Sequence, residues 1–269
     1  MYLCPKCKKE LKIVGRSYVC EDGHQYDIAK EGYVNLILAN QKNSKEPGDP
    51  KESLVSRRAF LYAGYYETLS NALNAVVKQY VGSGAFLDAG CGVGYYLERM
   101  MAECPDLDYY AVDIAKEGVK MCSKKNKQAH CAVASVFHLP LADESLDGLM
   151  SVFCPYSAEE FSRIVKKDGY VISVTPGKRH LYEMKEIVYD NPYENDEAGY
   201  TLPDFDCVER IKVTNTICLR SKQDIEALWT MTPYVHKTSK EDTQKLYAYD
   251  TLETTIDFLV AVYQKKRGN

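Results

Sequence analysis

In the stretch YETLSNALNAVVKQYV, apolar residues recur at Leu69, Leu73, Val76, Val77 and Val81, the spacing of one buried helical face. The preceding SLVSRRAFLYAG predicts another helix. The period then changes. AFLDA is a short continuous apolar run followed by glycines and the helix former YYLERM, so it predicts a strand, a tight loop and a helix. The alternation continues through the strands YYAVD, HCAVAS and LMSVF. SAEEFSRIVKKDGYVISVTPG then reads as a helix, a turn at Asp168-Gly169 and a fifth strand. Residues 179 to 205 read as a helix and an irregular insertion, and the chain closes on CVERIKVTNTICL, helix SKQDIEALWTM, and LETTIDFLVAVYQKK. Alternating strands and helices imply a mainly parallel sheet covered on both faces, ending in an antiparallel pair. No internal repeat is visible.

The periodicity fails in LILANQKNSKEPGDPKE, which gathers Asn, Ser, Lys, Gly and Pro. This divides the chain into a small domain (1–36), a linker (37–52) and a large domain (53–269). Within the small domain, LKIVGRSYV predicts two short strands broken at Gly15. A segment of about 35 residues builds too little core to fold alone, and its candidate chemistry supplies the remedy. Cys4 and Cys7 form a C-x2-C pair, Cys20 follows twelve residues later, and His24 completes a Cys3His set. Two turns holding Pro5 and Gly23 can each offer a ligand pair to one tetrahedral ion, so the spacing predicts one structural zinc per chain.

Composition changes little. With 45% hydrophobic and 27% charged residues, the chain is ordinary globular material. No apolar run reaches the ~20 residues of a membrane span, and metal ligands stand where a signal peptide needs an apolar core. A cytoplasmic protein with no membrane partner is expected. The seven cysteines from Cys91 onward are scattered like buried thiols, which fits a reducing compartment. A net charge of -4 gives no global case for nucleic acid, although residues 1–60 hold 11 Lys and Arg against 8 Asp and Glu.

The informative turn is LDAGCGVGYYL. Gly90, Gly92 and Gly94 form G-x-G-x-G, whereas a dinucleotide fold needs G-x-G-x-x-G, and Tyr95 stands where its third glycine would be. Asp88 would repel a pyrophosphate but attract a cationic aminoacyl group, which points to S-adenosylmethionine. Asp113 ends the next strand, 25 residues on, and can accept both ribose hydroxyls. The loop VFHLPLADESLDG before LMSVF is similar to the adenine-binding turn of class I methyltransferases. Ser135 stands where that superfamily often has Asp, so a hydroxyl or backbone contact to the adenine would replace a carboxylate. The fold expected is therefore α/β: a class I S-adenosylmethionine-dependent methyltransferase, Rossmann-like with a mainly parallel seven-stranded sheet, carrying a small N-terminal zinc-ribbon-like domain.

The blocks DIAKEGYVNLI, PGD, RRAFL, LDAGCGVGYY, AVDIAKEGV, SVTPGKRHL and LWTMTP, in that order after the Cys3His set, resemble the bacterial 23S ribosomal RNA guanine-N1 methyltransferases. These are of the ribosomal large-subunit methyltransferase A type, including macrolide-resistance members that act on one hairpin loop. The resemblance covers the whole chain. It implies that Tyr66 and His180, with Gly92 and Val93 of the glycine loop, contact the cofactor. It also implies a 23S rRNA hairpin as partner and a homodimer whose zinc modules line an RNA-binding cleft.

Lys6, Lys8, Lys9, Arg16, Lys42, Lys45, Arg57 and Arg58 are the cations that could grip such a hairpin, while the large domain handles one extruded base. Guanine N1 must lose a proton, and His180, His138 and Tyr156 are candidate bases. At the end of the fourth strand, Phe153-Cys154-Pro155-Tyr156 resembles the proline-aromatic turn of base-nitrogen methyltransferases, with Phe153 or Tyr156 stacking on the base and carbonyls accepting from it. Two other functions share parts of this pattern. A small-molecule methyltransferase needs the cofactor turns but not the zinc module, and a non-catalytic zinc-dependent RNA-binding protein needs the module but not the paired acids.

Overall fold

The computed structural model describes residues 2–38, 40 and 47–267. Three short strands form the N-terminal sheet: β1 (Lys12–Val14), β2 (Ser17–Val19) and β3 (Gln25–Asp27), antiparallel in the order β1-β2-β3. The break at Gly15 becomes the β1-β2 turn, with Val14 opposite Ser17.

The remaining strands make one sheet. They are β4 (Tyr33–Asn35), β5 (Gly84–Ala89), β6 (Leu107–Asp113), β7 (His130–Val133), β8 (Leu146–Val152), β9 (Val165–Pro176), β10 (Phe205–Leu219) and β11 (Leu252–Lys265). Their order is β10-β11-β9-β8-β5-β6-β7-β4. Pairs from β9 to β4 are parallel, while β11 runs antiparallel to both β9 and β10. Seven of these are the expected methyltransferase strands. The eighth, β4, was not expected: it falls within residues 1–36 yet hydrogen-bonds to β7, pairing Val34 with Ala132. An edge strand can add to any exposed ladder of N–H and C=O groups, and YVN, with Tyr33 and Val34 buried, fits this one.

Helices α1 (Lys51–Tyr62), α2 (Glu67–Tyr80), α3 (Tyr95–Glu103), α4 (Lys116–Lys125), α5 (Ala158–Ile164), α6 (Tyr182–Val188), α7 (Lys222–Thr230) and α8 (Lys240–Leu246) cover the sheet. Of the face of α2 read from its spacing, Leu69, Leu73, Val76 and Val77 are buried, while Val81 falls just past the helix as its C-cap and is half-buried.

The zinc module does not have a core of its own. Tyr2, Leu11, Tyr18 and Cys20 belong to one buried cluster with Leu87, Tyr110, Val112 and Leu149 of the large sheet. The Tyr2 hydroxyl donates to the His130 carbonyl at 2.6 Å, and its ring meets that of Tyr110 edge-on at 5.5 Å. The first residues therefore clamp the module onto one face of the sheet, with the strands' carboxyl ends left open.

Candidate active site and metal centre

In the N-terminal module, local turns aim the four ligands inward. The Cys4 N–H donates to Lys9 O at 2.8 Å and the Lys8 N–H to Cys4 O at 2.8 Å, while Gly23 N–H donates to Cys20 O at 2.9 Å. The ligand atoms of Cys4, Cys7, Cys20 and His24 all lie within 4.8 Å of one another. Cys7 Sγ is 3.6 Å from Cys20 Sγ, and His24 Nδ1 is 3.5 Å from Cys4 Sγ and 3.4 Å from Cys20 Sγ. A tetrahedron with zinc-sulfur bonds of about 2.3 Å has edges of about 3.8 Å, slightly shorter to nitrogen. The donor set and its spacing thus fit zinc. The Tyr26 hydroxyl, 3.3 Å from Cys4 Sγ, is placed to donate to that sulfur as a thiolate. Around the ligands, Lys6, Lys8 and Arg16 are exposed and make no ion pair with any described residue, whereas Lys9 is held by Asp22 at 2.7 Å. Lys42 and Lys45 lie outside the described residues.

The second site is a cleft of about 810 Å³ at the carboxyl ends of the parallel strands. It lies where the strand order reverses between β5 and β8, the position at which open α/β sheets bind ligands. Asp88, Gly90, Gly92 and Val93 line it from β5 and its loop, and Asp113 from the end of β6. Phe153 and Pro155 line it beyond β8, His180 beyond β9, and Tyr66 at the start of α2.

The two acids have different surroundings. Asp113 accepts from Gly92 N–H and Ala115 N–H, each at 2.8 Å, one on each carboxylate oxygen, so its side chain ties the glycine loop to the β6 turn. Burial raises its pKa, and the two backbone bonds oppose that rise. Asp88 is 3% exposed and accepts no hydrogen bond from any described residue. Burial, with the neighbouring Cys122 and Asp113, pushes its carboxyl well above the ordinary range. A buried carboxylate without a partner is costly, and a ligand ammonium would remove that cost. The lining therefore fits S-adenosylmethionine, a ligand that carries such an ammonium.

His180 is buried, and Nδ1 accepts from the Asp257 N–H at 3.3 Å. Burial, aided by the charge of Lys185, lowers its pKa to about 3. The ring is consequently neutral with its proton on Nε2, a hydrogen-bond donor and a poor base at neutral pH. Two other expectations about the base need correcting. His138 is exposed on the β7-β8 loop and does not line the cleft. Tyr156 lies flat on Tyr200, with centroids 3.7 Å apart and planes at 9°, and its hydroxyl accepts from Thr201 N–H at 2.8 Å. One face of Tyr156 is thus covered, which leaves Phe153 as the exposed ring of the turn. Phe153 is 44% exposed, holds a left-handed backbone (φ 52°) and runs nearly parallel to His180 with centroids 6.4 Å apart.

Three further expectations shift. Ser135 does not line the cleft, because its hydroxyl turns to accept from Phe137 N–H at 3.2 Å within its own loop. Gly94 also stays out of the lining. It caps α3 at φ 78°, and a Cβ there would fall 2.6 Å from Cys122 Sγ, so this glycine serves helix packing. Arg57 lines the cleft, 2.5 Å from Asp49, while Arg58 sits on the outer side of α1 with its guanidinium 5.6 Å from the Tyr62 ring centre.

Sequence reasoning missed the supports of the loop that carries His180. Asp257 on β11 accepts from Arg179 N–H at 3.0 Å and from the Thr214 hydroxyl at 2.8 Å. Asn195, in the irregular insertion, donates to Gly177 O at 2.9 Å and accepts from Lys185 Nζ and Tyr234 OH, both at 2.6 Å. Lys185 is buried with its ammonium 4.6 Å from the ring centres of both Tyr193 and Tyr234, and burial lowers its pKa to about 8. The insertion also brings Tyr200 to the cleft, where its hydroxyl donates to Cys154 O at 2.8 Å. A mid-sequence run of polar and aromatic residues carries no period, so only the alternating strands on either side were legible.

Comparison with known proteins decides the family. The family model described as RlmA, N-terminal, matches residues 2–45, and a methyltransferase domain model matches residues 87–173. The 23S rRNA (guanine(748)-N(1))-methyltransferase of Streptomyces fradiae is 32% identical over 222 residues, 78% of each chain. The chain belongs to the 23S rRNA (guanine-N1)-methyltransferase family. A second member, the putative 23S rRNA (guanine-N(1)-)-methyltransferase of Micromonospora griseorubida, is 32% identical over 67% of each chain. The putative enzyme YxjB of Bacillus subtilis is 28% identical over 98% of this chain and 97% of its own. Like the family, this chain is an S-adenosylmethionine-dependent methyltransferase with a zinc ribbon. No described helix is long and apolar enough to cross a membrane.

Proposed function

We propose that the protein transfers a methyl group from S-adenosylmethionine to N1 of a guanine in a hairpin loop of 23S rRNA. The observation that carries this reading is the zinc ribbon packed on the methyltransferase sheet of the same chain, in a family whose named members modify that atom. When bound, the cofactor supplies a methyl group on a sulfonium, already an activated leaving group. The protein's part is then largely positioning. In this reading Asp88 holds the amino group, Asp113 the ribose, and Gly92, Val93, Tyr66 and His180 complete the cofactor cradle. His180 contributes its Nε2–H as a donor. Phe153 and Pro155 form the rim against which the flipped base stacks. Transfer would form the nitrogen-carbon bond as the carbon-sulfur bond breaks with its electron pair on sulfur, and the N1 proton would pass to solvent.

RNA binding belongs to Lys6, Lys8, Arg16 and the exposed Arg58, whose charges are local to a protein of net negative charge. A cytoplasmic homodimer completes the proposal. Ile13 and Val14, 57% and 64% exposed on β1, are the kind of apolar surface that assembly covers. Incubating the protein with labelled cofactor and a 23S rRNA transcript, then digesting to nucleosides, tests the reading. N1-methylguanosine from the hairpin is the expected product. Label in another nucleoside, or only in small-molecule acceptors, contradicts it.

A further inference from the structure

Resting on the cofactor cleft assigned above, we infer that Arg57 is the partner of the cofactor's carboxylate. S-adenosylmethionine carries three charges: an ammonium and a carboxylate on one carbon, and the sulfonium. The acids in the lining account for the ammonium and the ribose, but the carboxylate needs a cation. Among the described residues lining the cleft, Arg57 is the single lysine or arginine, and His180 is neutral.

Arg57 is in the right place for this. It comes from α1, and one terminal nitrogen lies 3.9 Å from where a Cβ on Gly92 would stand, so the guanidinium hangs over the glycine turn. Its charge is felt at Tyr66, Tyr96, Asp113 and Cys154, which ring the cleft. The side chain is 27% exposed, dry enough for a charge-assisted bond to retain strength. Its ion pair with a described residue goes from Nη1 to Asp49 Oδ2, leaving the rest of the planar fork for a second carboxylate.

Asp49 itself is fixed. Its neighbour Gly48 abuts the β6 turn so closely that a Cβ there would fall 2.6 Å from that of Ala115. The PGD segment therefore closes the ribose side of the cleft and presents to Arg57 a carboxylate of the same kind as the cofactor's. Arg57 thereby acts in the cofactor cleft, apart from the RNA-facing cations among which its position next to Arg58 placed it.

The test is selectivity for the carboxylate, read by calorimetry with S-adenosylmethionine and with its decarboxylated form, which keeps the ammonium and sulfonium. The native protein is expected to bind the decarboxylated form roughly 10- to 100-fold more weakly, the range for losing a hydrogen bond to a charged group. Arg57→Gln is expected to weaken S-adenosylmethionine by a similar factor and the decarboxylated form hardly at all, so that the selectivity collapses. Arg57→Lys should restore part of it. Asp49→Asn should keep it whole, which holds the test open should Arg57→Gln unfold early. Equal loss of both ligands in Arg57→Gln, or selectivity lost in Asp49→Asn and kept in Arg57→Gln, overturns the inference and makes the pair a structural latch. A native protein that binds neither ligand contradicts the methyltransferase reading instead.

Discussion

Cys4, Cys7, Cys20 and His24 come from two turns of one short segment, and each turn is shaped by bonds within a few residues of its ligands. The cofactor cleft gathers side chains from the ends of four parallel strands, the start of α2, the α1 segment and the insertion before β10. One site is local and the other is assembled by topology. The metal ligands would be held together by the ion they bind, whose binding free energy adds to that of the core the module shares with the sheet. The acids of the cleft are placed by the fold, where burial raises both carboxyls above the ordinary range and only Asp113 has backbone donors to oppose it. A local site can be read from spacing, while an assembled one needs the sheet.

The largest effect should follow from breaking the local site. Cys4→Ser is expected to release the zinc and, because the module shares its core with the large sheet, to lower the melting temperature of the entire protein. A loss of several kcal/mol in a chain of this size corresponds to roughly 10 °C or more. A single shifted transition, seen by both far-ultraviolet dichroism and tyrosine fluorescence, is the predicted result. Two transitions, with the later one native-like, would mean that the module and the large domain fold as separate units.

Asp88→Asn sharpens the contrast, because stability and binding should move in opposite directions. Cofactor affinity should fall roughly 10- to 100-fold with loss of a charged partner, while the ligand-free protein melts higher for want of a buried, unpaired charge. The pH dependence follows. The folded carboxyl holds its proton above the ordinary value of 3.8, so over that window the unfolded chain binds fewer protons than the folded one. Stability of the ligand-free protein should therefore fall as pH rises through the window. Saturating cofactor, or the Asn substitution, should flatten this slope. A melting temperature that is independent of pH in the native protein would mean that Asp88 already has a partner.

Tyr156→Ala should cost stability before it costs chemistry. Its ring fills the space against Tyr200 and Phe161, and truncating a half-buried aromatic costs about 1–3 kcal/mol, below the range for a fully buried one. Phe153→Ala should do the reverse, lowering transfer to RNA with little change in melting. Equal behaviour of the two variants in parallel melting and transfer assays would erase the distinction between wall and rim. Smallest of all, Ser135→Ala should leave cofactor affinity within twofold by calorimetry, since its hydroxyl serves its own loop.

How much was legible divides along the same line. The Cys3His set, the α2 face and the mainly parallel sheet with its antiparallel end all rest on near-neighbour pattern and are present in the structure, which also brings Asp88 and Asp113 to the cleft from their strand ends. Ser135 and Gly94 sit inside a readable motif, yet side-chain direction put them elsewhere: one bonds within its loop, the other packs on Cys122. Tyr200, Asn195 and Lys185 lie in or beside a segment without periodicity whose ends are fixed by β9 and β10: Tyr200 reaches the cleft, while Asn195 and Lys185 brace the loop that follows β9. Arg57 and Arg58 are neighbours in sequence, and on a helix consecutive residues face about 100° apart. One therefore enters the cleft and the other faces solvent.

The central claim is that the cleft methylates the Watson-Crick edge of a guanine that the zinc module helps to present. Reverse transcription across the 23S rRNA hairpin tests it most directly, because a methyl group on N1 blocks base pairing and stops the enzyme one nucleotide short. Native protein should produce a stop at one guanine of the loop, Asp88→Asn a much weaker one, and Lys6→Glu with Arg16→Glu a stop that weakens as salt is raised. Full-length transcripts from RNA that has nonetheless accepted labelled methyl groups would contradict the account, since the methyl would then lie on another atom.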